Sequence, residues 1–481
     1  MTPTTSVLMW FGRDLRLADN PALRAAVATG LPVVPIFLWA PEEEDPSPGA
    51  ASRWWLHQSL LVLDRTLRAK GSRLTLRRGP TAETLLAIAA ECNARRVFHN
   101  RVCEPSALQR EPQLRSKLES ASIGLEIFNG SLLFDPGTLT TTTGGPFQVF
   151  TPFWNALRNR RGELRSTGRS PRTRLSPSRW PQSLRVADLK LEPKIDWASG
   201  IRAAWTPGEQ AARAALRSFA RGAVTRYATG RDRTDMDGTS RLSPHLHFGE
   251  ISPIQIWHAV SDSAGSEGYL RQIAWREFAC HLLSDHPHTL TKPFNPQFRH
   301  FPWRANARRL KAWQQGQTGY PFVDAAMRQL WATGWMHNRA RLVAASFLVK
   351  DLLIPWQLGA AWFLDTLVDA DLANNTIGWQ WVAGCGVDAA PYFRIFNPVL
   401  QGQKFDPNGD YIRRWVPELR GLPSGWIHRP WAAPPLLLAT AGVSPGKTYP
   451  LPLVDHSQAR SAALSALAQM KSKQREPTVS R

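Results

Sequence analysis

Residues Gly334–Gly402 read GWMHNRARLVAASFLVKDLLIPWQLGAAWFLDTLVDADLANNTIGWQWVAGCGVDAAPYFRIFNPVLQG. Polar groups (His337, Asn338, Arg339, Arg341, Asp369, Asp371, Asn374 and Asn375) stand among Trp, Phe and Leu. A run this apolar belongs in a core, where charges survive only when paired or hydrogen-bonded. Two arginines and two aspartates in such surroundings leave two readings. Internal Arg–Asp pairs close a helical core, or a large polar ligand sits in a mostly apolar pocket.

The whole chain narrows the choice. Its 481 residues suffice for two or more domains. Lys and Arg number 59 against 38 Asp and Glu, a net charge of +21 with a pI near 10.7. That surplus favours a polyanionic partner, nucleic acid before an anionic membrane. No apolar run approaches the roughly 18 residues of a membrane span. The start, MTPTTSVLMWFGRD, lacks the basic, apolar and small-residue regions of a signal peptide. A cytoplasmic protein without membrane attachment is expected. Nothing suggests coiled-coil association, and a monomer is expected. The four cysteines (Cys92, Cys103, Cys280, Cys385) show no paired spacing, which argues against a disulfide framework or a zinc site, and Asp369-x-Asp371 has no further ligands at suitable spacing, so no metal is expected.

The first 130 residues alternate short apolar runs (Val7–Trp10, Val33–Trp39, Arg73–Arg77, Arg96–Phe98, Leu125–Phe128) with helical stretches such as Arg53–Arg68 and Thr81–Cys92. This predicts an α/β domain with a parallel, Rossmann-like sheet over 1–130. No G-x-G-x-x-G follows the first strand, so the dinucleotide fingerprint is absent. Residues 131–205 are rich in Gly, Ser, Thr, Pro and Arg and read as an interdomain linker, with a short helix at Phe150–Leu157 and a solvated basic loop at Arg165–Pro181. From 206 to 481 the pattern is all-α, ending in a basic tail, Lys471–Arg481, expected to be disordered.

Several segments carry a family resemblance: WFGRDLRLADNPAL (Trp10–Leu23), WMHNRAR (Trp335–Arg341), DADLANNTIGWQW (Asp369–Trp381) and DAAPYFRIFNP (Asp388–Pro398). They are similar to the photolyase/cryptochrome family, most closely to its bacterial cyclobutane pyrimidine dimer (CPD) photolyases. The resemblance implies an N-terminal antenna-binding domain and an all-α domain that binds one FAD. Tyr227 and the run Thr239, Ser240, Arg241, Leu242, Ser243 match the segments that hold the FAD pyrophosphate. Hydroxyls and N–H groups at a helix start suit that task, although the run read alone is simply an N-cap. Trp335, Asn338, Arg341, Asp369, Asp371 and Asn375 match flavin-lining positions, Arg341 and Asp369 as the ion pair beside the ring and Asn375 facing N5. Asn at that position is the photolyase pattern; plant-type cryptochromes carry Asp. Trp379, Trp356 and Trp303 match the family's electron-relay chain.

The implied substrate is UV-damaged DNA. Trp275 and Trp381 match the tryptophans that wall the pocket of a flipped-out dimer, a non-planar apolar lesion that needs aromatic walls. Photolyases are themselves among the standard examples of base flipping. Arg276 and Arg339 are candidates for phosphate contacts, and Asn338 lies near the lesion. The (6-4) branch uses two histidines at positions that fall here on Asn338 and Leu342, so its proton-transfer groups are missing. Gln272 stands where many dimer photolyases have Glu, and Leu342 replaces a Met. The iron–sulfur branch needs four cysteines in the C-terminal half, which holds only Cys280 and Cys385. NRVCEP (Asn100–Pro105) resembles a segment near the antenna pocket, but Ser106 and Ala107 do not reproduce the Asn-Glu pair that holds folate in some relatives. The antenna is left between folate (methenyltetrahydrofolate), deazaflavin or none. The implied activity is blue-light repair of cyclobutane pyrimidine dimers by electron transfer from excited FADH⁻. The alternative is a cryptochrome-type photoreceptor, and a basic helical nucleic-acid binder without flavin leaves Asp369–Trp381 unexplained.

Overall fold

The computed structural model describes residues 5–166, 168, 177, 179–192, 195–388 and 393–472. Most of the basic loop at 165–181, residues 389–392 of the DAAPYFRIFNP motif and the tail from 473 onward lie outside these residues.

Strands β1 (Ser6–Phe11), β2 (Val33–Trp39), β3 (Thr75–Arg78), β4 (Ala94–Asn100) and β5 (Gly124–Phe128) form one sheet in the order β3-β2-β1-β4-β5. Every neighbouring pair is parallel. Helices α1 (Pro21–Ala28), α2 (Ala50–Arg68), α3 (Thr81–Glu91) and α4 (Pro105–Ser120) alternate with the strands. All seven residues of β2, VVPIFLW, are buried, as expected of a parallel strand covered on both faces. Pairing of β2 with β3 begins only at Ile36. Pro35 therefore sits where β2 is still an edge, the position where a residue without an N–H is tolerated. Val34, Ile36 and Val97 of the sheet pack with Leu85 and Ile88 of α3 in one apolar cluster.

The chain packs as two compact units. The first comprises Met1–Thr225, Ser240–Pro287 and Val368–Ala373; the second comprises Arg226–Thr239, His288–Leu367 and Asn374–Arg481. The changes of composition near residues 130 and 205 both fall within the first unit.

Within the first unit, helix α5 (Phe150–Asn159) buries Phe150, Phe153, Trp154 and Leu157, the i, i+3, i+4, i+7 spacing of one apolar face. Glu250, fully buried, accepts hydrogen bonds from Trp55 Nε1 (3.2 Å) and Ser59 Oγ (2.5 Å) of α2 and lies 2.5 Å from His245 Nδ1. Gly249 has φ of +61°, and a Cβ there would lie 2.1 Å from the Arg13 carbonyl oxygen, so only glycine fits.

Glu277, on the helix Ser266–Asp285, is fully buried and accepts from the Leu133 N–H at 2.8 Å. Burial pushes its carboxyl up to about 7, against the pull of Arg276. The folded protein thus binds this proton more tightly than the unfolded chain. The resulting stabilisation is complete below the ordinary value of 4.5 and is lost as pH rises through about 7. Glu277→Gln keeps an acceptor for Leu133 and removes the titration. Its urea midpoint relative to wild type should rise between about pH 5 and about pH 8; a constant difference across that range would refute the assignment.

The described part of the second unit is helical and loop, apart from one isolated bridge between Pro445 and Tyr449. Asp324, fully buried in the first turn of the helix Pro321–Thr333, organises a loop and a distant segment at once. It accepts from Thr318 N (2.7 Å), Thr318 Oγ1 (2.7 Å), Gly319 N (3.1 Å) and Tyr449 OH (2.5 Å). Among the described residues no helix is long and apolar enough to cross a membrane.

Candidate active site

In the first unit, Ser240, Arg241 and Leu242 precede the five-residue helix Ser243–His247, with Arg241 left-handed at φ 52°. Ser240 Oγ accepts from Tyr269 OH at 2.9 Å and from Leu242 N at 3.3 Å, and the Arg241 guanidinium stands over the Trp205 ring at 4.3 Å. Gln272 and Trp275 are one turn apart on the Ser266–Asp285 helix, hence on one face, and both are part-exposed. Gln272 Nε2 donates to the Gly268 carbonyl at 3.3 Å. The Trp275 indole stacks on Phe150. Arg276 is mostly covered; its Nη1 donates to Ser131 O at 3.0 Å and lies 3.4 Å from Glu277 Oε1. Asp369 is buried, and its carbonyl accepts from Asp371 N at 2.7 Å.

The order β3-β2-β1-β4-β5 puts the topological switch point between β1 and β4, the usual place for a ligand in such sheets. Beyond the C-terminal ends of these strands lies a cavity of about 40 Å³ whose lining includes Arg13, Glu104, His247, Arg276, Cys280 and Asp371. Arg13 bridges Glu104 at 3.0 Å and Glu44 at 3.3 Å and donates to His247 Nε2 at 3.1 Å. Burial pushes Glu104 up to about 7, and burial together with Arg13 holds His247 down at about 3, neutral and able to accept that bond. Trp10 and His99, from the ends of the same two strands, stack 3.9 Å apart. The crevice is thus filled by side chains already paired with one another.

In the second unit, Thr239 is part-exposed, and Tyr227 is buried, its hydroxyl pushed up to about 12 by burial. His337 caps the helix Asn338–Ser346 by accepting from Arg339 N through Nδ1 at 3.1 Å. Asn338, Arg341 and Leu342 follow at i, i+3, i+4 and share one face of that helix, with Trp335 just before its start. Arg341 Nε donates to Met336 O at 2.8 Å, while Arg339 pairs with Asp232 at 2.8 Å and stands over Phe405 at 4.4 Å.

The helix Leu372–Ala383 carries Asn375 and Trp379 one turn apart on one face, and Trp381 on another. Asn375 Nδ2 donates to Ala360 O at 3.0 Å. Trp379 packs edge-on against Phe363 (5.0 Å, 66°) and Trp313 (6.1 Å, 71°). Gly359 permits this seat, because a Cβ there would lie 2.1 Å from the Trp379 ring. Trp356 is buried at the start of the helix Trp356–Thr366, and Trp303 packs on Phe301 at 4.4 Å. Trp313 was not singled out from the sequence, and no local signal separates it from the other tryptophans.

Two buried donors, Arg339 Nε and Trp379 Nε1, have no hydrogen-bond partner among the described residues. The His337 proton is on Nε2 because Nδ1 accepts, and burial holds the ring down at about 4, hence neutral. Buried donors are normally paired. In the second unit, Asn338 and Arg341 follow His337 on one helix and supply donors that suit a polar, anionic ligand; in the first unit, Ser240 and Ser243 carry hydroxyls at a helix start.

Comparison with known proteins agrees with this chemistry. Residues 269–469 match the FAD binding domain of DNA photolyase, and residues 7–171 match the DNA photolyase family. The chain is 47% identical over 476 residues to a deoxyribodipyrimidine photo-lyase of Agrobacterium fabrum (strain C58), covering 97% of this chain and 98% of that one. It is 40% identical over 485 residues to cryptochrome-1 of Arabidopsis thaliana, covering 96% and 70%. The crystal structure of a bacterial class III photolyase from Agrobacterium tumefaciens matches it with a TM-score of 0.93 at 46% identity, over 98% of this chain and 99% of that one. An α/β unit with a parallel sheet, a helical remainder and sequence identity along nearly the full length lead to one conclusion: the chain belongs to the photolyase/cryptochrome family.

Proposed function

We propose that the protein is a light-driven DNA-repair lyase that splits cyclobutane pyrimidine dimers with one bound FAD. The observation that carries this reading is the near-full-length similarity to a deoxyribodipyrimidine photo-lyase, 47% identical, with Asn rather than Asp at position 375. When bound, FAD supplies the blue-light absorption and the electron that opens the dimer's cyclobutane ring. Tyr227, Thr239, Ser240, Arg241, Leu242 and Ser243 are assigned to its phosphates, and Trp335, Asn338, Arg341, Asp369, Asp371 and Asn375 to its ring system. Trp379, Trp356 and Trp303 are assigned to electron supply. Trp275 and Trp381 wall the lesion, the Gln272 amide donates to a pyrimidine carbonyl, and Asn338 and Leu342 complete the rim. Arg276 and Arg339 take the phosphate role by exchanging the internal partners described above. The net charge of +21 supports a DNA partner, and cytoplasmic, nucleoid-bound action by a monomer follows from this reading.

The switch-point cavity does not suit an antenna. At about 40 Å³ it accommodates water molecules, whereas pockets for small organic ligands run to roughly 300 Å³ or more. The antenna stays between folate, deazaflavin and none.

A cryptochrome-type photoreceptor is the second reading, favoured by the 40% identity to cryptochrome-1. Blue-light treatment of an oligonucleotide with one cyclobutane thymine dimer, using reduced protein and a dark control, decides between them. Recovery of intact thymines only in the light supports repair; no recovery with flavin bound and photoreducible supports the photoreceptor.

Asn375 offers a sharper check. Its amide donates to the Ala360 carbonyl, and an aspartate there would point a carboxylate oxygen at that carbonyl. Hydrogen bonding of the neutral form then raises the carboxyl pKa and keeps a proton at this atom near neutral pH. The visible spectrum of Asn375→Asp after illumination should depend on pH, while that of wild type should not. Indistinguishable pH series for the two proteins would remove Asn375 from the flavin ring.

A further inference from the structure

The first unit contains an aromatic stack whose second member comes from the connection after the sheet. The Trp275 indole lies flat on the Phe150 ring, with centroids 3.8 Å apart and planes 7° from parallel. Phe278 closes the group from the side, 5.9 Å from Phe150 at 65° and 5.7 Å from Trp275 at 71°. The Arg271 guanidinium stands over Phe150 at 5.2 Å and over Trp154 at 5.6 Å. Phe150 is 2% exposed and Phe278 fully buried, whereas Trp275 is part-exposed.

One face of the indole is therefore spent on Phe150, and only its other face is left for a ligand. An indole on a helix can otherwise turn about two side-chain torsions, and ordering it on binding weakens affinity. The stack removes that freedom beforehand. Gln272, one turn back on the same face, is then held in a constant relation to the wall.

We propose that Phe150 is a positioning residue for the lesion: it holds the Trp275 indole flat and oriented to receive the flipped-out pyrimidine dimer, so that the start of α5 belongs to the lesion-recognition machinery. The proposal rests on the dimer-repair reading. An aromatic stack of this kind is worth roughly a three- to tenfold change in affinity.

Phe150→Leu removes the ring but leaves an apolar side chain. It is compared with Trp275→Ala and the double variant in binding, in the dark, to strands with and without one thymine dimer. Phe150→Leu should weaken dimer binding about fivefold and leave undamaged-strand binding unchanged. It should also raise KM for repair while kcat per bound flavin falls less than about twofold, because a merely destabilising change lowers the active fraction instead. Added to Trp275→Ala, it should cost nothing further, since the two act as one unit. An equal loss in the Trp275→Ala background, or full dimer affinity in Phe150→Leu, overturns the positioning role alone. A wild-type protein that binds both strands equally overturns the dimer-repair reading itself, and the positioning role with it.

Discussion

Trp379→Phe should leave the flavin oxidised under blue light with an external reductant, at the level of the buffer background. Flavin reduced chemically beforehand should still support repair. The ring contacts give the reason: Trp379 is buried, on the same helix face as Asn375, and edge-on to Phe363 and Trp313. Phenylalanine keeps the apolar volume but is far harder to oxidise. Gly359→Ala makes a graded companion. Its Cβ would meet the Trp379 ring at 2.1 Å, so the ring must shift rather than vanish, at about 1–3 kcal/mol of overpacking. Slowed photoreduction in Gly359→Ala and none in Trp379→Phe is the expected order. Normal photoreduction in Trp379→Phe takes this tryptophan out of the relay and turns attention to the remaining aromatic side chains.

Asp324→Ala should cost the second unit about 3–5 kcal/mol, the range for breaking a buried polar network. The carboxylate has four donors around it: two from Thr318, one from Gly319 and the Tyr449 hydroxyl. Alanine leaves all four facing apolar surroundings, and an unmade buried hydrogen bond costs far more than a formed one returns. Asp324→Asn should cost less, because one oxygen still serves Thr318 and the Tyr449 hydroxyl can turn to accept. Only the Gly319 N–H is then left opposite another donor. Urea midpoints for the two variants test this ranking; equal midpoints would mean that the network is held by its surroundings rather than by Asp324.

Strands β1 and β2 were legible because a parallel strand covered on both faces leaves an unbroken apolar run, whereas arginines interrupt β3 and β4. Val33–Trp39 was read to the residue, and the other four strands to within a few. Helix α4 gave no comparable signal: only Leu118 of its 16 residues is fully buried, and Pro112 lies inside it. The α5 helix was legible because FTPFWNAL places its aromatics at helical spacing. Its role was not, since nothing in a linker's composition says which distant indole Phe150 will meet. Arg276 and Arg339 illustrate the same limit. Their charge suggested phosphate, but a sequence cannot show that one guanidinium is engaged by Ser131 and Glu277 and the other by Asp232. The small size of the switch-point cavity was equally hidden, because it depends on Arg13, Glu104 and His247 converging from three parts of the chain. The flavin and lesion residues were reached through resemblance, and their helix-face groupings are what the structure adds.

The first unit is built from three separated stretches of chain, and this has a consequence for how the protein is made. On a ribosome, Val368–Ala373 appears roughly 140 positions after Thr225. At about 5–20 residues per second, that is a delay on the order of ten seconds. The sheet can close early, because its strands and covering helices are finished by residue 128. The apolar face of α5 has to wait for Trp275 and Phe278, and the unit as a whole waits longer still for its last six residues. Until residue 278 has been made, Phe150 and Phe153 lack the aromatic partners that cover them in the finished unit.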